Sequence, residues 1–188
     1  MSDSAKSMGV KLGADLHRSA ATEQGLGLKN RYVFECFDAD GNLKWREENC
    51  NLTVNEGLDE ILNQFWKGSG YTAAFFVGLT DGTPTVAAAD TLASHAGWAE
   101  VTDYAESTRE ALSLGSVASQ SVDNSASKAS FAVNADATTV GGGFIATNNI
   151  KGGTSGLLIA VVAFDGGDKL ADDGDTINVT STLTAASV

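Results

Sequence analysis

Basic residues are scarce in this chain: 12 Lys and Arg stand against 24 Asp and Glu in 188 residues, a net charge of −12. Phosphate backbones are held by clustered Lys and Arg, so DNA and RNA are set aside as partners. The same charge keeps separate copies soluble until specific contacts form. Cysteine is nearly absent, and Cys36 and Cys50 alone cannot build a disulfide scaffold. The N-terminus, MSDSAKSMGVKLGADLHRSAATEQ, has neither the apolar core of a signal peptide nor a membrane-spanning stretch. That argues against a membrane partner. It points to a product that stays in the cytoplasm unless it leaves inside an assembled particle. Charged residues make up only 19% of the chain and aromatics 7%. A surface this poor in charge must be covered by Ser, Thr, Asn, Gly and Ala. Such a surface suits closely packed subunits, because few charges then need desolvating, and it is equally common in extracellular β-proteins.

The length suffices for one domain with a core and an appendage. Residues 1 to 29 show no sustained period of 2 or 3.6 and are rich in Ser, Ala and Gly, so they read as an extended N-terminal arm. Residues 30–188 read as an antiparallel β-sandwich of the jelly-roll or immunoglobulin-like kind, closed by one amphipathic helix. The clearest hairpin is Tyr32 to Phe37, the Asp-Gly turn 38–42, and the alternating run from Leu43 to Glu47. A two-residue turn at Asp40-Gly41 sets Cys36 opposite Trp45 and Cys50 opposite Arg31, too far apart for a disulfide. Thr53-Val54-Asn55-Glu56 has the form of a capping box, and Leu58, Ile61, Leu62 and Phe65 follow at helical spacing. This predicts a helix over 55–67 whose apolar stripe packs on a sheet. Strands are expected at 73–79, 109–114, 128–133, 140–147, 157–164 and 176–184, the last with one wet and one dry face. The segment 157–164, apolar on both faces, should lie centrally.

Candidate chemistry is sparse. Asp38 to Asn42 resembles the start of an EF-hand loop, but Asn49 stands where the bidentate Glu belongs, and a hairpin turn explains the segment. Asp165, Asp168, Asp172, Asp173 and Asp175 crowd one loop without a specific metal spacing, and Asp-Gly pairs are ordinary turn residues. His17 and His95 have no second ligand at zinc spacing, and His95 reads as a loop side chain bonded locally or packed beside Trp98. No Gly-x-Ser-x-Gly elbow presents a nucleophile. The run Val140 to Phe144 reads as a bulge or a close backbone approach. Glu56, Asp59 and Glu60 complement a helix dipole. No catalytic, cofactor or metal residues are assigned.

The wording VGLTDGTPTVAAADT…ASHAGW between Val77 and Trp98, with SVDNSASKASF at Ser121 to Phe131 and NIKGGTSG at Asn149 to Gly156, resembles virion structural proteins of tailed bacteriophages. The resemblance spans roughly residues 31–188. It implies a non-enzymatic particle component, and a capsid decoration (cement) protein is the favoured member. The expected partners are then the major capsid protein and sister copies, in a homo-oligomer such as a trimer on the outer capsid surface. By position alone, Val10, Leu12, Leu16, Leu26, Leu28 and Tyr32 are candidate capsid or subunit contacts. A tail, baseplate or fibre-base component is the alternative. A host-surface glycan-binding module is the second, with Trp66, Tyr71, Trp98 and Tyr104 as its aromatic platform.

Overall fold

A computed structural model describes residues 26–68, 70 and 74–187. Two antiparallel sheets pack face to face. The first holds β1 (Leu26–Phe37), β2 (Leu43–Cys50), β7 (Ser121–Asp123), β8 (Ala129–Ala132) and β13 (Thr176–Ser187). Its order is β2-β1-β13, with both β7 and β8 pairing with β13. The second holds β3 (Leu52–Thr53), β4 (Phe76–Asp81), β5 (Ala99–Glu100), β6 (Glu110–Ala111), β10 (Gly142–Ala146) and β11 (Leu158–Ala163). Here the order is β3-β11-β10-β4, and β5 and β6 pair with β4. A small ribbon of β9 (Thr138–Val140) and β12 (Lys169–Ala171) stands apart. Helix α1 (Asn55–Ile61) runs on through a π-helical turn, Leu62–Trp66. The antiparallel sandwich with one helix is the architecture the sequence implied.

Alternation builds the core. Tyr32, Phe34 and Cys36 of β1 and Ile177 and Val179 of β13 are fully buried, and they meet Val77, Leu79, Ile145 and Val162 of the facing sheet. Phe34 and Phe164 pack edge to face at 4.8 Å between centroids. The β1–β2 hairpin has the predicted register, with Cys36 opposite Trp45 and Arg31 opposite Cys50. A bulge follows at Phe37, which pairs with Leu43, so the connection is longer than two residues. Asp38 organises it, accepting the Asp40 and Asn42 amides at 3.0 and 2.8 Å, while Gly41 takes φ +84°. Both cysteines are free.

The glycine run after Val140 is the close approach anticipated. A side chain on Gly142 would overlap the Val162 carbonyl oxygen, and one on Gly143 would sit 2.9 Å from the Phe34 ring. Strand β11 lies between β3 and β10, one place inside the sheet edge and not at its middle.

Three local expectations change. Strand β1 begins at Leu26, pairing with Ser187, so the last residues assigned to the arm belong to the sandwich. The capping box does not form: Val54 is the N-cap without any side-chain cap bond, and Thr53 pairs with Ala160 in the sheet. The Glu56 carboxylate instead accepts the Leu158 amide at 2.7 Å. Tertiary structure offered that carboxylate a better donor than the helix terminus did. Finally, the helix lies on the sheet by a different face, as follows.

Candidate functional site: an exposed helix face and an open sandwich end

Helix α1 sits so close to β11 that a Cβ on Gly57 would overlap the Ile159 carbonyl oxygen. Gly57 therefore selects the inward face. Glu60, Ile61 and Gln64 follow it at i+3, i+4 and i+7 and turn to the same side. The predicted stripe is thereby rotated by one residue, about 100°, and of its members only Ile61 is drawn in. Leu58, Leu62, Phe65 and Trp66 are 44, 55, 76 and 72% exposed. Phe65 and Trp66 pack edge to face at 5.2 Å, forming one apolar ledge on the surface.

Beside this helix the sandwich gapes. Strands β1 and β13 are 12 residues long, whereas β10 and β11 have five and six. At about 3.4 Å per residue the ribbon outreaches the second sheet by roughly half its length. Its overhanging inner face carries Leu28, Leu183 and Ala185, and with Ile61, Phe75 and Ile159 these enclose an apolar cavity of about 530 Å³. Asn51 also lines it, while its Nδ2 atom is buried away from the cavity without a partner among the described residues.

The polar groups elsewhere brace the scaffold. Arg109 is 2% exposed and engages Glu100, the Asn148 and Gly153 carbonyls and the Phe144 ring. Nothing in the sequence around it flags this buried cation. Asp175, 4% exposed, accepts from Lys44, from the Asp172 amide at 2.7 Å and from the Cys36 thiol. Strand β12 splits the single acidic loop expected from the sequence: before it Asp168 accepts from the Thr83 amide and hydroxyl, and after it Asp172 accepts from Lys44 and the Ala137 amide. The Lys44 ammonium and the Ala137 amide hold the Asp172 carboxyl below its usual range. Burial, then the Asp175 charge, pushes the Cys36 thiol up to about 12. Among the described residues no three His, Cys, Asp or Glu side chains could share a metal ion. A shallow polar cleft is lined by Asp81, Asp103 and Asp136.

The residues singled out from sequence fall in different places. Val10, Leu12 and Leu16 lie outside the described residues, and Leu26 opens β1. Leu28 is 45% exposed on the cavity rim. Tyr32 is fully buried, its hydroxyl accepting from Asn30 Nδ2 at 2.8 Å, so it is a core residue and presents no surface to a partner. Two of the four aromatic-platform residues are buried. Trp98 is buried, with the His95 ring stacked on it at 3.8 Å and the His95 Nδ1 3.1 Å from its carbonyl. Tyr104 is buried against Phe131, and Tyr71 lies outside the described residues. Among the described members of that set, only Trp66 is at the surface. Sequence reasoning missed the cavity altogether, because its walls come from strands far apart in the chain. No helix among the described residues is long and apolar enough to cross a membrane.

Comparison of the chain with protein-family models, curated proteins and solved structures finds no match.

Proposed function

We propose that the protein is a non-enzymatic structural component of a tailed-bacteriophage virion, acting as a capsid decoration protein bound to the major capsid protein and to its own copies. The observation that carries this reading is the apolar ledge Leu58–Leu62–Phe65–Trp66 on an otherwise acidic chain. Apolar side chains grouped on a surface mark sites of association. The residues behind the phage resemblance serve the scaffold. Asn124 donates to the Val179 carbonyl and accepts the Ser181 amide at 2.7 Å, and His95 caps Trp98. A tail, baseplate or fibre-base position is the second reading and uses the same ledge.

Copy number in purified virions tests both. Parity with the major capsid protein, or one trimer at each local threefold, supports decoration. A few copies per particle would place the protein in the tail, and absence from virions would end the virion reading.

A further inference from the structure

Four Asp-Gly pairs punctuate the chain: Asp40-Gly41, Asp81-Gly82, Asp165-Gly166 and Asp173-Gly174. Such a pair carries a reaction of its own. The glycine amide nitrogen can attack the preceding side-chain carboxyl, because glycine has no Cβ to shield that nitrogen. Attack requires the amide to be out of any hydrogen bond and free to swing toward the carboxyl carbon. That requirement separates the four pairs.

Two of the amides are committed. Gly41 donates to the Asp38 carbonyl at 2.9 Å, and Gly174 to the Val133 carbonyl at 3.0 Å. Packing locks a third pair. Asp81 pairs with Ala99 at the end of β4, and a Cβ on Gly141 would fall 1.9 Å from the Gly82 carbonyl carbon. The Asp81–Gly82 peptide therefore has no room to turn.

Asp165-Gly166 differs from all three. Both residues are exposed in the turn between β11 and β12. Neither the Gly166 amide nor the Asp165 carboxylate has a hydrogen-bond partner among the described residues. The loop is pinned only at its ends, by the Phe164 amide on the Gly141 carbonyl and by Asp168 on Thr83. A side chain at 166 would disturb the Glu47–Lys169 ion pair, since its Cβ would sit 2.5 Å from Glu47 Oε1. The fold thus keeps an unshielded glycine at this place.

We infer that Asp165 is a site of isoaspartate formation in the folded protein. The Gly166 nitrogen bonds to Asp165 Cγ, and the carboxyl hydroxyl leaves with the amide proton as one water. The five-membered imide then takes up water. Opening at the Asp165 main-chain carbonyl routes the chain through the former side chain, and opening at the other carbonyl restores aspartate. The water lost is regained, no oxidant or cofactor takes part, and the net charge is unchanged. The product lengthens the β11–β12 connection by one carbon, three residues before the carboxylate that holds Thr83. This loop chemistry stands apart from the virion reading.

The test ages the folded full-length protein in mildly acidic buffer, where the protonated carboxyl supplies the leaving hydroxyl. Tryptic peptides are then read by electron-transfer fragmentation, which distinguishes the two linkages. Isoaspartate should accumulate at Asp165, in the peptide of residues 152–169, and stay absent from the other three pairs. Protein aged in denaturant should form it at all four, which would show that the fold imposes the choice. Asp165→Glu should lose the folded-state signal, because the longer side chain would need a six-membered ring. No isoaspartate at Asp165 in folded protein, equal accumulation at Asp40, Asp81 or Asp173, or a signal in residues 152–169 that survives Asp165→Glu would each overturn the inference.

Discussion

Arg109 and Glu100 form a two-pronged buried ion pair, Nε to Oε1 at 2.9 Å and Nη2 to Oε2 at 2.7 Å. Their side chains are 1 and 8% exposed. Two further guanidinium donors go to the carbonyls of Asn148 and Gly153, so one side chain ties β5 to the loop after β10. Such a pair adds little over an apolar pair of equal volume, but removing one partner strands a buried charge. Arg109→Ala should therefore lower unfolding stability by about 3–5 kcal/mol, measured by urea denaturation. A loss within 0.5 kcal/mol, the scale of neutral surface changes, would show that solvent reaches Glu100.

Gly57 holds α1 against β11, and even Ala introduces an atom where the Ile159 carbonyl oxygen stands. Gly57→Ala should cost about 1–3 kcal/mol through forced displacement, despite the better helix propensity of Ala. A rise in Tm would mean that propensity outweighs the clash.

Leu62, Phe65 and Trp66 make few internal contacts because they face water. F65S/W66S should leave stability within about 0.5 kcal/mol of wild type while abolishing attachment to the assembly partner. A large loss of stability would assign the ledge to the chain's own core.

The two thiols should differ sharply. Cys50 is exposed, whereas Cys36 is buried with its pKa raised from 9.0 to about 12. A maleimide at pH 8 should label Cys50 alone, and Cys36 only under denaturant, as read by intact mass. Because the folded state holds the Cys36 proton more tightly, its contribution is complete below pH 9 and is lost as pH rises toward 12. Over that window wild type should lose stability more steeply than Cys36→Ala. Parallel curves would contradict the linkage.

What the sequence determined by itself is whatever depends on neighbours along the chain. The β1–β2 register follows from a short connection between two alternating runs, and β13 follows from strict alternation, Ile177, Val179 and Ser181 turning inward. The helix was legible as an element for the same reason. Its face was not: four apolar residues at helical spacing predict an inward stripe, yet a single Gly57 lets the backbone approach Ile159 and turns the stripe outward. Glu56 likewise left a local cap for an amide 102 residues away. The start of β1 at Leu26 was hidden because Gly25-Leu26-Gly27 has no strand signal until Ser187 pairs with it. The Arg109–Glu100 pair and the cavity share that origin. Both arise where segments distant in the chain meet, and there packing, not periodicity, decides which side chains face each other.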